Sequence, residues 1–508
     1  MAALLMGIDI GTSSTKGVLV TDDGTVVARA TRAHGVATPR PGHAEMDADV
    51  TWWGEVASVS RELLAGRAAS DVAGVCVSGL GPCLVVCDAA DRPVRPAILY
   101  GIDARATTEI TELTDRYGAE AILRTCGKAL SSQAVGPKLS WIRRHEPDGW
   151  ARGRRWFGSS SFVVRRLTGE YVLDHHTASQ CDPLYDVRAL DWASDWAAEI
   201  TEHLELPRLV WPQEVVGRVT AAAAEATGLP EGTPVSAGTV DAWAEAHSAG
   251  VRAPGDLMLM YGTTMFFVQV LEGLRTHPLL WTTAGVDPGR RTMAAGMSTS
   301  GSLTQWVRDL TGAPDYETLV EEARAVAPGS DGLVVLPYFA GERTPVFDPQ
   351  ARGVVAGLTL QHGRGHLFRA AYEGIAYGIR QIVALLDEGA GPVSRLVAVG
   401  GGTTGGLWTQ VVSDVTGRPQ DVPEQTIGAS YGDALLAAVG VGLADPTTDW
   451  SVVSHVVEPD PRAHAVHDEI FEAYDSLYAS TRAAVHTLAA VQDATFSTPA
   501  DLSPRSPA

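Results

Sequence analysis

Three stretches of the chain combine glycine, hydroxyl and carboxylate residues in patterns suited to phosphate chemistry. Asp9-Ile10-Gly11-Thr12-Ser13-Ser14-Thr15-Lys16 follows the apolar run Leu4 to Ile8 and reads strand, tight turn, strand. Gly11 lets the backbone approach an anion closely, and the successive N–H groups and hydroxyls from Thr12 to Thr15 can receive phosphate oxygens. Asp9, at the strand end just ahead, is placed to hold Mg²⁺ through water. The stretch is no Walker A loop, because GxxxxGK[ST] is absent; taken alone it is also an ordinary polar hairpin. The same pattern recurs in Asp256 to Val270, around Gly262-Thr263-Thr264. Gly11 and Gly262 lie 251 residues apart in a chain of 508, so each hairpin opens one half of the molecule. Duplication of one fold unit follows, with the two hairpins clamping one phosphate chain between two domains.

The second stretch is Ser236-Ala-Gly-Thr-Val-Asp241-Ala242-Trp243, a strand delivering one acid into small-residue surroundings. Phosphoryl transfer needs a carboxylate that orients and deprotonates the attacking hydroxyl. An N-cap of the following helix is the ordinary alternative for Asp241. The third is Gly400-Gly401-Gly402-Thr403-Thr404-Gly405, a literal GxGxxG with Asp421 about 20 residues on. It lies some 400 residues into the chain with only one domain's worth of fold behind it. A turn against which adenine and ribose lie flat is the reading preferred over a dinucleotide fingerprint.

The elements that must position these residues alternate strand and helix. Strands are expected at 25–30, 72–78, 84–87 and 395–399, and helices at 50–64, across 104–146, at 156–169 and at 407–415. The clearest helix is Leu367 to Leu386, with an apolar stripe from Phe368 through Tyr372, Ile375, Ile379, Ile382 and Leu386. This is an α/β pattern of sheets with helices packed on them. A boundary falls near Gly250, giving domains 1–250 and 251–490, and the Ser/Pro/Ala-rich residues 491–508 are expected to be a disordered tail. With 39 basic and 60 acidic residues the net charge is −21, which repels phosphate backbones and excludes a nucleic-acid partner. The five scattered cysteines form no CxxC pair and read as reduced cytoplasmic thiols. No signal peptide or membrane helix is expected. His175-His176 lacks a third ligand at metal spacing and reads as loop, and Trp52-Trp53 reads as domain wall.

The chain resembles the FGGY family of carbohydrate kinases from Gly7 to about Gly442. Gly353-Val-Val-Ala-Gly357-Leu358, seven residues, His366-Leu367, two residues, then Ala370-Ala-Tyr-Glu373 fits the family's longer signature. Gly341-Glu342-Arg343-Thr344-Pro345 ahead of it is typical of the xylulokinase branch. Pro137-Lys138-Leu-Ser-Trp141 resembles the other signature, with Val135 where Pro, Ser or Thr is the rule. The resemblance implies two actin-like (ribonuclease H-like) ATPase domains flanking a deep cleft, sugar mainly on the first and ATP mainly on the second, with Mg²⁺ as cofactor. It implies Asp241 as catalytic base and Asp9 as the Mg²⁺-linked acid. Gly11, Thr12, Ser13 and Lys16 would face the γ-phosphate, and Gly262, Thr263 and Thr264 the other phosphates. Gly401, Gly402 and Thr403 would flank the adenosine, with Ser300 and Gly301 near it. Asp103, with Gly81 and Pro82, would meet the sugar, and Arg105 would brace that loop. A homodimer is left open.

Two departures mark the sugar pocket. Where xylulokinases carry Met-His-Gly, this chain has Leu80-Gly81-Pro82-Cys83, and Ala242 stands where Asn follows the catalytic Asp. The reading is therefore a kinase for a small sugar, a ketopentose such as xylulose or ribulose, or a polyol. The alternatives are a non-catalytic or chaperone-like actin-fold ATPase and a nicotinamide-dependent oxidoreductase.

Overall fold

The computed structural model describes residues 3–313, 315–425 and 427–497. Two mixed sheets organise it. The first is built from β1 (Leu4–Ile10), β2 (Ser14–Thr21), β3 (Val26–Ala33), β4 (Val72–Gly79), β5 (Val215–Arg218) and β6 (Pro234–Ser236), in the order β5-β6-β4-β1-β2-β3. The second comprises β7 (Asp256–Tyr261), β8 (Met265–Leu271), β9 (Trp281–Ala284), β10 (Arg291–Met297), β11 (Arg395–Val399), β12 (Gln420–Pro423) and β13 (Val453–Val457). Its order, β13-β12-β11-β7-β8-β10, repeats the first sheet strand for strand, and β9 is added at the end.

The pairings repeat too. β1 runs antiparallel to β2 and parallel to β4, as β7 runs antiparallel to β8 and parallel to β11. Next out, β4–β6 and β11–β12 are parallel, and the outermost pairs β5–β6 and β12–β13 are antiparallel. The duplication inferred from Gly11 and Gly262 is thus carried by whole sheets.

Two helices lie between the sheets: α1 (Asp241–Ser248) and, far along the chain, α2 (Ala429–Gly440). Their apolar residues, Trp243 and Ala246 from α1 and Ala434, Leu436 and Ala437 from α2, share one buried cluster. Leu5 and Cys76 of the first sheet and Met258, Val268 and Val397 of the second complete it. Behind the second sheet the long helix Arg364–Gly389 buries the stripe Phe368 to Leu386.

The expected helix at 156–169 begins later than its pattern suggested. Arg155–Phe157 is a strand paired with Val85–Cys87, and the helix is Ser159–Thr168, ended by Gly169 in the left-handed region. Trp156 and Phe157 are buried by that pairing. Residues 491–497, expected in the tail, complete the last helix, Pro461–Ser497, with no proline or glycine before Pro499 to stop it. The rest of the tail lies outside the described residues. No helix among the described residues is long and apolar enough to cross a membrane.

Candidate active site

The first hairpin closes through Gly11 N, which donates to Ser14 O at 3.0 Å. A Cβ on Gly11 would stand 3.1 Å from that same oxygen, which explains the glycine. The turn places Asp9 and Lys16 opposite each other across the β1–β2 ladder. Asp9 is 8% exposed, and among the described residues its carboxylate receives only one hydrogen bond, from Ser78 Oγ at 3.4 Å. Burial, then the charge of Asp241, raises its proton affinity well above the ordinary carboxylate range. A buried carboxylate so poorly satisfied fits a cation held through water. Thr12 Oγ1 shares a 2.8 Å hydrogen bond with the hydroxyl of Tyr100, and Ser13 is exposed.

Asp241 is reached by a sharp change of direction after β6. Gly238 takes φ +71°, and a Cβ there would fall 1.9 Å from Val77 O, so only glycine fits against β4. Gly79 N then donates to Thr239 O, and Asp241 becomes the first residue of α1 rather than a cap, Val240 holding the cap position. Its Oδ1 accepts from Ala242 N at 2.7 Å. Burial raises its pKa to about 6. One helical turn on stands Glu245, whose pKa burial and the charge of Asp241 push up to about 7. The charge of Lys16 opposes both rises.

Asp241 lines a cavity of about 160 Å³ whose walls come from both halves of the chain. Leu80, Gly81, Tyr100, Ser131, Gln133, Gln180 and Ala242 face Met260, Thr264, Phe266, Trp281 and Arg343. Gln133 is oriented by Gly101 N donating to its Oε1 at 3.0 Å. Lys128 also lines it, but its Nζ is committed to Ser179 O at 2.7 Å and Asp182 at 3.2 Å, and so acts as a strut. The cavity joins the hairpins: Tyr100, bonded to Thr12, stands on one wall, and Thr264 on the other.

A second cavity, of about 560 Å³, opens on the second sheet. Gly262, Thr263, Gly301, Gly401, Gly402 and Thr404 line it together with Tyr261, Tyr316, Tyr372 and Trp408. Nothing lies within 4 Å of a Cβ built on Gly401 or Gly405, so the glycine turn presents bare backbone to open space. Gly402, by contrast, is pressed against Trp408, whose ring stacks on Tyr372 at 5.1 Å between centroids. The turn sits at the end of β11 and is a short 3-10 segment, Gly401–Thr403, not the opening of a long helix. Asp421 bonds Arg395 Nε at 2.7 Å, so it is tied to the sheet and not offered to a ribose.

Some expected residues stand elsewhere. Asp103 does not line the sugar-sized cavity. It is buried, and its two oxygens accept from Arg105 N, Arg105 Nε, Arg105 Nη2 and Ala44 N, a donor for each of about four lone pairs. Burial alone would raise its pKa, but these donors hold it below the ordinary value. Its carboxylate ties the loop of Ala44 to Arg105, while its backbone N donates to Tyr100 O in the turn that carries Tyr100. Pro82 is buried behind Gly81. Ser300 lies beneath the second hairpin, its N donating to Thr263 O, and Thr403 caps its own turn through Gly400 O; neither lines the larger cavity. His175 and His176 form a short helix with Thr177 and Ala178. His176 Nδ1 donates to Ala284 O of the second sheet at 2.7 Å. Trp52 is fully buried against Phe162.

The residues given no site role from the sequence are mostly aromatic or amide side chains: Tyr100, Gln133, Gln180, Trp281 and Trp408 from between the motifs, and Tyr372 from within the longer signature. Glu245 had a signal, its spacing of four from Asp241 on one helix face. So did Arg343, inside the Gly341–Pro345 segment.

Comparison with known proteins settles the lineage. Residues 4–246 match the N-terminal domain of the FGGY family of carbohydrate kinases, and residues 257–441 match its C-terminal domain. The chain belongs to the FGGY family of carbohydrate kinases. It is an ATP-dependent sugar kinase, a phosphotransferase with an alcohol group as acceptor. The crystal structure of xylulose kinase from Rhodospirillum rubrum superposes on this kinase with a TM-score of 0.87 at 34% identity, covering 95% of this chain and 100% of that one. The xylulose kinase of Escherichia coli (strain K12) is 29% identical over 488 residues, 94% of this chain and 98% of its own. The gluconokinase of Bacillus subtilis (strain 168) is 26% identical over 489 residues, 93% and 94% of the two chains.

Proposed function

We propose that this kinase phosphorylates a small ketose, of the ketopentose class or a related polyol, with Asp241 as the general base. The observation that carries the reading is the position of Asp241: on the wall of a cavity of about 160 Å³, between the two hairpins, beside a larger cavity lined by glycine and aromatic rings. Small-molecule sites commonly enclose roughly 300–1,000 Å³, so the smaller cavity suits a substrate of few carbons and the larger a nucleotide. The first half, to about Gly250, carries most of the acceptor wall and the second half the nucleotide wall.

In the reaction the acceptor hydroxyl attacks the γ-phosphorus of ATP, its proton passes to Asp241, and the bond to the β-phosphate oxygen breaks to release ADP. Asp241 is suited to this by burial, which brings its proton affinity near neutrality. Asp9 would hold Mg²⁺ through water, and that ion would neutralise charge on the phosphates. The first hairpin's N–H groups and Lys16 would receive the γ-phosphate, and Gly262, Thr263 and Thr264 the rest of the chain. Closure of the halves over the cavity would exclude water as a competing acceptor.

Gly81 and Ala242 leave the wall nearest Asp241 without the histidine and asparagine of familiar xylulokinases. Recognition of hydroxyls passes to Gln133, Gln180 and Ser131. A sugar acid is the second reading, favoured by Arg343, which lines the cavity and forms no carboxylate ion pair among the described residues. The test is a coupled ADP-release screen over pentuloses, hexuloses, tetritols, pentitols and aldonates. A ketose or polyol should stimulate release most, and Asp241→Ala should lower kcat about 10²- to 10⁴-fold. ADP release independent of every acceptor would instead favour a chaperone-like actin-fold ATPase, in which water takes the phosphate.

A further inference from the structure

The helix α2 comes from the second half of the chain yet lies against the first sheet. A Cβ on Gly7 of β1 would stand 1.9 Å from Ser430 O, and one on Gly432 would stand 2.0 Å from Ala244 O of α1. One helix therefore touches, backbone to backbone, both the strand that ends in Asp9 and the helix that begins with Asp241.

The one carboxylate on α2 is Asp433, and it is fully buried. Its Oδ2 accepts from Ser78 Oγ at 2.6 Å and from Ser78 N at 3.1 Å, while its Oδ1 lies 3.8 Å from Cys76 Sγ. Among the described residues no lysine, arginine or histidine forms an ion pair with it. A buried carboxylate without a cation is costly, and apolar residues fill the rest of this face of α2 at no such cost. Ser78 is the residue in register with Asp9 on the neighbouring strand, and its hydroxyl is also the one group that reaches the Asp9 carboxylate, at 3.4 Å. A hydroxyl has a single proton. Asp433, at the shorter distance, takes it, so the Asp9 carboxylate keeps its lone pairs while Ser78 Oγ stands fixed against one side of it.

We propose that Asp433 is a positioning residue for the reaction centre: from the second half of the chain it fixes Ser78 and, through Ser78, the direction in which Asp9 presents its carboxylate to the cleft. The inference rests on the reading of Asp9 as the acid that holds the cation. Asp9 and Asp241 are both carried by the first sheet, and α2 packs against the strand of one and the helix of the other.

The experiment measures Mn²⁺ binding by electron paramagnetic resonance, with a non-hydrolysable ATP analogue present, alongside KM for the acceptor and Tm. Asp433→Ala should weaken Mn²⁺ binding about tenfold, the usual effect of losing a partner that orients a metal-linked group, with the acceptor KM held within about twofold. Asp433→Asn should restore binding, since its amide oxygen accepts from both Ser78 donors. Ser78→Ala, which leaves Asp433 in place, should reproduce the loss and decides the matter if Asp433→Ala does not fold. Unchanged Mn²⁺ binding in folded Asp433→Ala or in Ser78→Ala overturns the proposal, as does an Asp433→Asn no better than Asp433→Ala. Asp9→Asn separates the two readings. If it leaves Mn²⁺ binding intact, the role given to Asp9 falls and this inference with it; if it abolishes binding while the Ser78 and Asp433 variants do not, only this inference falls.

Discussion

Replacing Glu245 by glutamine tests how the carboxylates of the cleft share protons. Glu245 stands one helical turn beyond Asp241 on α1, where Cβ atoms are roughly 6 Å apart. At an effective dielectric constant of about 20, two unit charges at that distance repel by about 2.8 kcal/mol, or about two pH units. Water reaches Glu245 in part, so a working value of about one unit is expected. On lowering pH, Glu245 takes its proton first, near 7, and Asp241 second, near 6. A base must be unprotonated, so kcat/KM should fall about tenfold per pH unit below 6. Glutamine at 245 mimics the protonated acid, which is the form already present when Asp241 titrates. The acid limb of Glu245→Gln should therefore stay within about half a unit of wild type. What it should lose is an inflection near pH 7. Above that pH wild type places a further negative charge in the cleft, weakening binding of the anionic nucleotide, and the variant does not. The assay is coupled ADP release at subsaturating acceptor from pH 5 to 9, at constant ionic strength. An acid limb displaced by more than about one unit, or an inflection near 7 that persists in the variant, would refute the order of protonation.

Other expectations follow from the same geometry. Gly7→Ala drives a methyl into Ser430 O and should destabilise by about 1–3 kcal/mol, read as a lowered urea midpoint. Trp408→Ala removes the ring that backs Gly402 and stacks on Tyr372, and should raise KM for ATP with little change in kcat. Burial raises the pKa of Asp174 to about 6 from a reference of 3.8. Its folded state therefore binds protons more tightly than the unfolded one, and the stability it contributes below pH 4 is lost as pH rises through 6. Asp174→Asn should flatten that window by roughly 3 kcal/mol in denaturation at pH 4 and pH 8.

Much of the architecture was legible because repetition is visible at low resolution. Two Gly-Thr hairpins half a chain apart needed only pattern matching, and the sheets repeat around them. Gly11 and Gly262 stood out because each follows an apolar strand at its turn, Asp9 because it is the one acid in the first of those strands, and Asp241 because it follows the small residues after β6. The acceptor wall was not. Tyr100, Gln133 and Gln180 come from loops and short helices between motifs, and their side chains converge only after the segment 84–209 has packed on itself around Leu84, Val86, Trp156 and Tyr185. Asp103 misled for a related reason. A carboxylate two residues before an arginine can serve a ligand or bind that arginine, and only the fully satisfied set of donors from Arg105 and Ala44 distinguishes the two.

The interleaving of α1 and α2 gives the duplication a mechanical sense. The halves do not each keep their own helices, although Asp9 and Asp241 both belong to the first, on β1 and beyond β6 of one sheet. Instead α2, from the second half, sits under Gly7 with no room for a Cβ, and α1, from the first, fills the buried cluster against Met258 and Val397. Domain closure in such two-lobed proteins proceeds by hinge rotation or by small sliding of packed helices. Asp241 and Asp9, carried by one sheet, would keep their relation while Thr264, Trp281 and Arg343 approached from the opposite wall. Closure by this route would alter the cavity's volume and its access to water without moving Asp241.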